Sequence, residues 1–163
     1  MIRQTEFLLQ SLKDTEQLAK SICDHARQPC VIALNGSLGT GKTQFVRYFV
    51  NALQSSSGKS QIGEVTSPTY VLLQRYPTNP TVYHFDFYRL ENAAQVWDLG
   101  IDEIFEEPAW ILIEWAEKFV ECLPDEVLEI RLEHQKNHRT ATLQTKSDSL
   151  AELVDQVSAF ADP

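Results

Sequence analysis

Eight consecutive residues, Gly36-Ser37-Leu38-Gly39-Thr40-Gly41-Lys42-Thr43, fit G-x-x-x-x-G-K-[ST] without a mismatch. Such a run is a phosphate cradle when a strand feeds it and a helix leaves it. Val31-Ile32-Ala33-Leu34 reads as the strand and residues 44–53 as the helix. Glycines let the backbone curl so that several N–H groups converge on one anion, and the helix N-terminus adds about half a positive charge. Lys42 is then placed to neutralise β- and γ-phosphates, and the Thr43 hydroxyl to take one corner of a Mg²⁺. A second Gly-Lys-Ser at Gly58-Lys59-Ser60 is a decoy, because Leu53 stands where the first glycine belongs.

A phosphate cradle alone only binds. Hydrolysis or transfer also needs an acid that holds a metal and a group that orients a nucleophile. Val82-Tyr83-His84-Phe85-Asp86 is a largely apolar run ending in an acid, the Walker B pattern, and Trp110-Ile111-Leu112-Ile113-Glu114 is a second. In a parallel sheet both strand ends can lie beside the P-loop, where open α/β sheets bind ligands. The plainer reading of either acid is the first solvated residue after a strand. Between the P-loop helix and Asp86 lies Thr66-Ser67-Pro68-Thr69-Tyr70. Small hydroxyls on a proline-stiffened loop suit a segment that senses the γ-phosphate through Mg²⁺. A polar turn ahead of the next strand is the competing reading. His84 reads as a hydrogen-bonded neighbour of the acids rather than a proton shuttle. His134 and His138 flank a hairpin turn with no third ligand in view. The cysteines have no local His or Asp arrangement that would activate a thiol.

These groups need elements to hold them. A first strand is expected at residues 6–10. Ser11 follows as an N-cap with Asp14 three residues on, and its helix runs through Leu18, Ala19, Ile22 and Ala26. Residues 55–60 read as a polar loop. Further strands are expected at 70–76, 81–88, 109–114, 127–133 and 139–145. The last two alternate apolar and polar residues, which suggests an exposed antiparallel pair. Two short helices fall between Asn92 and Phe105, broken at Gly100, and a last helix covers 150–160. The class is α/β: one P-loop NTPase domain over residues 1–163, with a mixed, mostly parallel sheet flanked by helices and an antiparallel C-terminal strand pair.

Bulk properties narrow the choice. A chain of 163 residues, 43% hydrophobic, is ordinary for a single core. Its formal charge of −9 suits no unaided grip on nucleic acid, whose non-specific affinity comes from neutralised phosphates. Three cysteines, Cys23, Cys30 and Cys122, with no C-x-x-C, fit a reducing compartment. No apolar signal segment can be drawn through the charged N-terminus, and no apolar run is long enough to span a membrane, so a cytoplasmic location is expected. Three function classes remain: an ATPase, a small-molecule kinase, or a nucleotide-sensing module without turnover. A kinase lid would bring arginines over the transferred phosphate, yet none occurs between Arg89 and Arg131.

In order along the chain come Asn35-Gly36 with the P-loop, Ser67-Pro68-Thr69-Tyr70, His84-Phe85-Asp86-Phe87-Tyr88-Arg89-Leu90, Gly100-Ile101, Ile113-Glu114-Trp115 and Leu123-Pro124. That order resembles the bacterial TsaE (YjeE) family, the small ATPases of tRNA threonylcarbamoyladenosine biosynthesis, over residues 7–143. The resemblance implies binding of ATP/ADP and Mg²⁺ and slow ATP hydrolysis. It implies work with the TsaB and TsaD proteins, which install the threonylcarbamoyl group on N6 of adenosine 37 in tRNAs reading ANN codons. By the same resemblance the small ATPase transfers nothing itself, resets the complex between turnovers, and meets tRNA only indirectly. Residue by residue, Gly36 to Thr43 would hold the phosphates and Thr69 would be the switch hydroxyl. Asp86 and Glu114 would share the metal shell and water activation, and the family pattern does not assign which acid does which. Trp115 would face the nucleotide or a partner, the alternative being a partly buried core aromatic. Ser11 and Arg139 align with polar positions at the edge of the nucleotide site. The chain departs from the family pattern in its long serine-rich loop before Thr66, and in Ala93, Ala94 and Gln95, where acidic residues are usual.

Overall fold

The computed structural model describes residues 1–58, 65–66 and 68–159. In chain order the elements are β1 (Arg3–Leu9), α1 (Leu12–His25), β2 (Val31–Asn35), α2 (Lys42–Ser57), β3 (Leu73–Tyr76), β4 (Val82–Asp86), α3 (Ala93–Trp97), α4 (Ile101–Phe105), β5 (Trp110–Glu114), a 3-10 helix (Ala116–Cys122), β6 (Val127–His134), β7 (Arg139–Thr145) and α5 (Asp148–Ala159).

The strands form one seven-stranded sheet in the order β1-β7-β6-β2-β5-β4-β3. The central four, β6, β2, β5 and β4, run parallel. Antiparallel β3 closes one side, and antiparallel β7 followed by β1 closes the other. β2 and β5 are buried at every position, because helices cover both faces of the sheet, and so they read as unbroken apolar runs. The pleat splits their side chains between two cores. Ile32, Leu34 and Leu112 point to the α1, α2 and α5 side with Phe45, Phe49 and Val154. Ala33, Ile111 and Ile113 point to the other side with Phe85, Phe87, Ile101 and Phe119.

Local signals set the boundaries. Ser11 caps α1 in a capping box: Asp14 N–H donates to Ser11 Oγ, and Ser11 N–H donates to Asp14 Oδ2 at 2.8 Å. Gly100, at φ 71°, breaks the α3–α4 segment as expected, since that left-handed turn suits glycine.

Several boundaries differ from the sequence reading. α2 begins at Lys42 and runs through Ser57, so the first serines of the expected loop are helical. Ser55 and Ser56 donate their hydroxyls to the carbonyls of Asn51 and Ala52, one turn back, and stay compatible with the helix until Gly58 ends it at φ 64°. The rest of the serine-rich loop, residues 59–64, and Ser67 lie outside the described residues, as does Phe160 at the end of the last helix. The strand expected at 70–76 shortens to Leu73–Tyr76, because Leu72 adopts φ 69° and ends the turn that precedes it. The β6–β7 pair is antiparallel as expected and exposed on one face, but it does not form the sheet edge. β1 pairs outside β7, and Leu128, Ile130, Leu132, Ala141 and Leu143 are buried, so only the other face meets solvent. The 3-10 helix was not anticipated; it follows Trp115, which adopts φ 58°.

The consequence for chemistry is register. Leu34 pairs with Glu114, and Glu114 pairs with Asp86. The carboxyl ends of β2, β5 and β4 therefore lie side by side, and the Gly36–Thr43 loop leaves from the same end.

Candidate functional site

Six polar residues are at most 4% exposed at this end of the sheet: Asn35, Thr40, Lys42, His84, Asp86 and Glu114. Burying so much polarity in one place is costly unless each group is bonded, and such clusters mark functional sites.

The loop itself supplies the first layer. Gly36, Gly39 and Gly41 all adopt positive φ, at 133°, 77° and 105°. A Cβ at Gly36 would lie 2.3 Å from Leu132 O, so no side chain fits there. Thr40 Oγ1 donates to Ser37 O at 2.9 Å and pins the turn. The Leu38 side chain is exposed at the tip. Lys42 and Thr43 open α2, and Lys42 folds back so that Nζ donates to Gly36 O at 2.6 Å and Ser37 O at 2.9 Å. Its ammonium lies 4.1 Å from the centroid of the Trp115 ring, a cation–π contact. Burial lowers the Lys42 pKa from its ordinary value, while the negative charges of Glu114, Glu117 and Asp86 hold it up. Two of the three ammonium hydrogens are thus committed to the loop.

The carboxylates form the second layer. Glu114 Oε1 accepts from Thr43 Oγ1 at 2.8 Å and faces His84 Nε2 at 2.8 Å. Asp86 Oδ2 accepts from Thr69 Oγ1 at 2.7 Å, and Oδ1 accepts the Tyr88 N–H at 2.8 Å. Each acid is therefore tied to a different hydroxyl: Glu114 to the first helical turn of the P-loop, Asp86 to the Pro68–Tyr70 segment. His84 is fully buried and stacks against Tyr76. It touches Glu114, and its Nδ1 has no partner among the described residues.

Two hydroxyls and two carboxylates gathered in this way are the hard oxygen donors that Mg²⁺ takes. Nucleotide sites hold that ion with one or two carboxylates and leave the remaining positions to phosphate and water. The residues fit the ion on those terms. Among the described residues there is no group of three or more His, Cys, Asp or Glu that would form a full protein cage.

The more distant site residues are also placed. The Arg139 guanidinium lies against the loop: a Cβ at Gly41 would sit 3.2 Å from its Nη1. His134 Nε2 donates to Gly39 O at 2.8 Å. Both line a cleft of about 470 Å³ between the start of α1 and the β6–β7 turn. Ser11 lines the same cleft, though its hydroxyl is engaged with Asp14 in the helix cap. Trp115 is half-buried between Lys42 and the Tyr88 ring, whose centroid is 4.9 Å away.

Three contacting residues were missed in the sequence. Asn35 and Glu117 bracket the first glycine: Gly36 N–H donates to Glu117 Oε1 at 3.0 Å, and Glu117 N–H donates to Asn35 Oδ1 at 3.1 Å. Lys118 donates to the carbonyls of Tyr88 and Leu90 and fastens the chain after Asp86. The local signal was the acid–aromatic–x–acid–base run from Glu114 to Lys118, which reads as a solvated helix start unless Trp115 is known to turn the chain back.

Residues 9–142 match the sequence profile of the family described as "Threonylcarbamoyl adenosine biosynthesis protein TsaE". A tRNA threonylcarbamoyladenosine biosynthesis protein TsaE from Rickettsia felis is 36% identical over 157 residues, spanning 93% of this chain and 86% of the relative. A protein of the same name from Bacillus subtilis is 35% identical over 130 residues, spanning 79% and 77%. The crystal structure of Bacillus subtilis YdiB superposes with a TM-score of 0.79 at 27% identity, covering 98% of this chain and 97% of that one.

Proposed function

The chain belongs to the TsaE family of tRNA threonylcarbamoyladenosine biosynthesis, and from that premise we propose that it is a Mg²⁺-dependent ATPase that works for the TsaB and TsaD proteins. It hydrolyses ATP slowly alone and faster with those partners. They place the threonylcarbamoyl group on N6 of adenosine 37 in tRNAs reading ANN codons. This chain transfers no group and touches tRNA only through the complex, in the cytoplasm. Among the described residues no helix is long and apolar enough to cross a membrane.

One observation carries the reading. The P-loop lysine, the Thr43 hydroxyl and both strand-end acids converge, and each acid holds a different hydroxyl. In this scheme the loop N–H groups and Lys42 bind the phosphates, and Gly36, Ser37, Leu38, Gly39, Thr40 and Gly41 shape that cradle. Thr43 and Glu114 would hold Mg²⁺, with Asp86 on the neighbouring strand end completing the oxygen donors. A Mg²⁺ held by these residues would supply positive charge against the nucleotide phosphates. Asp86, on the Thr69 side, orients the attacking water and accepts its proton. Thr69 reports the state of that acid to the surface. His84 fixes the rotamer of Glu114. Arg139 and Trp115 edge the nucleotide, and Ser11 borders the cleft beside it. Phosphate release measured on the isolated chain, then with the TsaB–TsaD pair added, tests the proposal. A rise is expected; turnover that ignores the pair overturns the partner-activated reading.

A further inference from the structure

The residue that grips the phosphate loop from behind is an acid, which is an odd choice beside an anion site. Trp115 N–H donates to Leu34 O, continuing the β5–β2 ladder by one residue, and the left-handed turn at Trp115 then folds the 3-10 helix over the start of the P-loop. Glu117 is thereby brought against residues 81 and 82 positions earlier. Its N–H donates to the buried Asn35 side chain, and its Oε1 accepts the Gly36 N–H. On the other side of Gly36, the carbonyl accepts from Lys42 Nζ. One glycine therefore links the Glu117 carboxylate to the lysine that faces the phosphates. The remaining oxygen, Glu117 Oε2, is buried with no partner among the described residues.

We infer that Glu117 is a positioning residue with two opposed effects: its hydrogen bond orders Gly36 and the cradle, while its charge weakens the hold on nucleotide phosphates. A neutral acceptor would have served for order alone. The carboxylate keeps the loop shaped and makes it release product readily. This inference rests on the reading of Gly36–Thr43 as a phosphate site.

Three substitutions separate the effects. Glu117→Gln keeps an acceptor of the same reach and removes the charge. Glu117→Asp keeps the charge but falls short of Gly36. Glu117→Ala loses both. Each full-length variant is titrated with Mg²⁺–ADP calorimetrically, after its nucleotide-free melting temperature shows that it folds. Glu117→Gln should bind about three- to tenfold more tightly than wild type, the scale of removing one like charge several ångströms from an anion in a partly solvated site. Glu117→Asp should bind most weakly, and Glu117→Ala should lie between the two. A residue that only shapes the loop would give wild type as the tightest binder. Glu117→Gln binding no better than wild type overturns the electrostatic half, and Glu117→Asp matching wild type overturns the ordering half. Should Glu117→Gln fail to fold, the Asp and Ala variants still decide: Ala weaker than Asp overturns the inference. Wild type that ignores Mg²⁺–ADP altogether overturns the phosphate reading and this inference with it, whereas wild type that binds normally beside variants that all match it overturns this inference alone.

Discussion

Lys42 carries a structural cost alongside the phosphate-binding role proposed for it. Its ammonium is buried, and burial makes the charged form less stable in the fold than in the unfolded chain. The folded chain therefore holds that proton less tightly than the unfolded one. The cost to folding is full while both states are protonated, and it is relieved as pH rises towards the ordinary lysine value of 10.5. Lys42→Met should accordingly fold well at neutral pH while nucleotide binding drops below calorimetric detection. Wild type should gain melting temperature relative to that variant between neutral and alkaline pH. Wild-type ATP affinity in the variant would remove Lys42 from the phosphate site. The two acids should part company as well. Asp86→Asn is expected to keep Mg²⁺–ADP binding but lower phosphate release at least ~100-fold, the scale of a positioned acid–base group. Glu114→Gln is expected to weaken the Mg²⁺ dependence of binding too, since Thr43 donates to that carboxylate. Metal titrations of both variants, read by calorimetry and by phosphate release, distinguish these roles. The thiols stand apart from the chemistry. Burial pushes Cys23 and Cys30 up to about 12, so neither should react with a disulfide reagent at mildly alkaline pH until denaturant is added.

At the scale of elements, the site is a set of strand ends held in register. Ser11 illustrates how an element can account for a residue that also borders the site. Its hydroxyl accepts from Asp14 N–H and donates to Asp14 Oδ2. Ser11→Ala should cost about 1 kcal/mol of stability for the lost cap. If capping is its whole role, chemical denaturation will shift and Mg²⁺–ADP affinity will not. A parallel loss of affinity would assign it to the nucleotide cleft. Much of this level was legible because it is local. The P-loop, its strand and its helix lie within one stretch of chain, and the largely apolar run ending at Asp86 and the unbroken one ending at Glu114 mark doubly covered parallel strands. What was not legible depends on distance in sequence. β1 lies against β7 because of tertiary pairing, which no window of residues 1–10 reveals. Glu117 reaches Gly36 only because Trp115 adopts a left-handed backbone that its residue type disfavours. The helical serines at 55 and 56 were misread because serine signals a turn and a helix end equally well, and their back-bonding to Asn51 and Ala52 decides between the two.

For the whole molecule, the proposed action through a protein partner can be tested from its charge and from the placement of the acid–hydroxyl pairs. A net charge of −9 opposes a polyanion, and the basic residues, among them Arg47, Arg75, Arg89, Lys118, Arg131 and Lys136, make no single stripe in the sequence. The surface beside the Asp86–Thr69 pair is of a different kind. Tyr70 and Val71, directly after Thr69, are 81% and 68% exposed, with the Arg89 guanidinium 4.1 Å above the Tyr70 ring. Thr69 joins that apolar surface to Asp86 through a hydrogen bond. Nucleotide that competes for Asp86 or Thr69 would therefore shift the segment that a partner sees. Such a shift couples the two sites only if the partner binds the two arrangements with different free energy. Capture of the TsaB–TsaD pair should consequently differ between ADP, a non-hydrolysable ATP analogue and no nucleotide. Thr69→Ala should blunt that difference more than it weakens ATP binding. The isolated chain should bind tRNA weakly at physiological salt, with little dependence on nucleotide. Pull-downs under the three conditions, with wild type and Thr69→Ala side by side, measure the coupling directly. Equal capture in all three by the wild-type chain, or tight tRNA binding without partners, would refute a switch that acts through protein contacts.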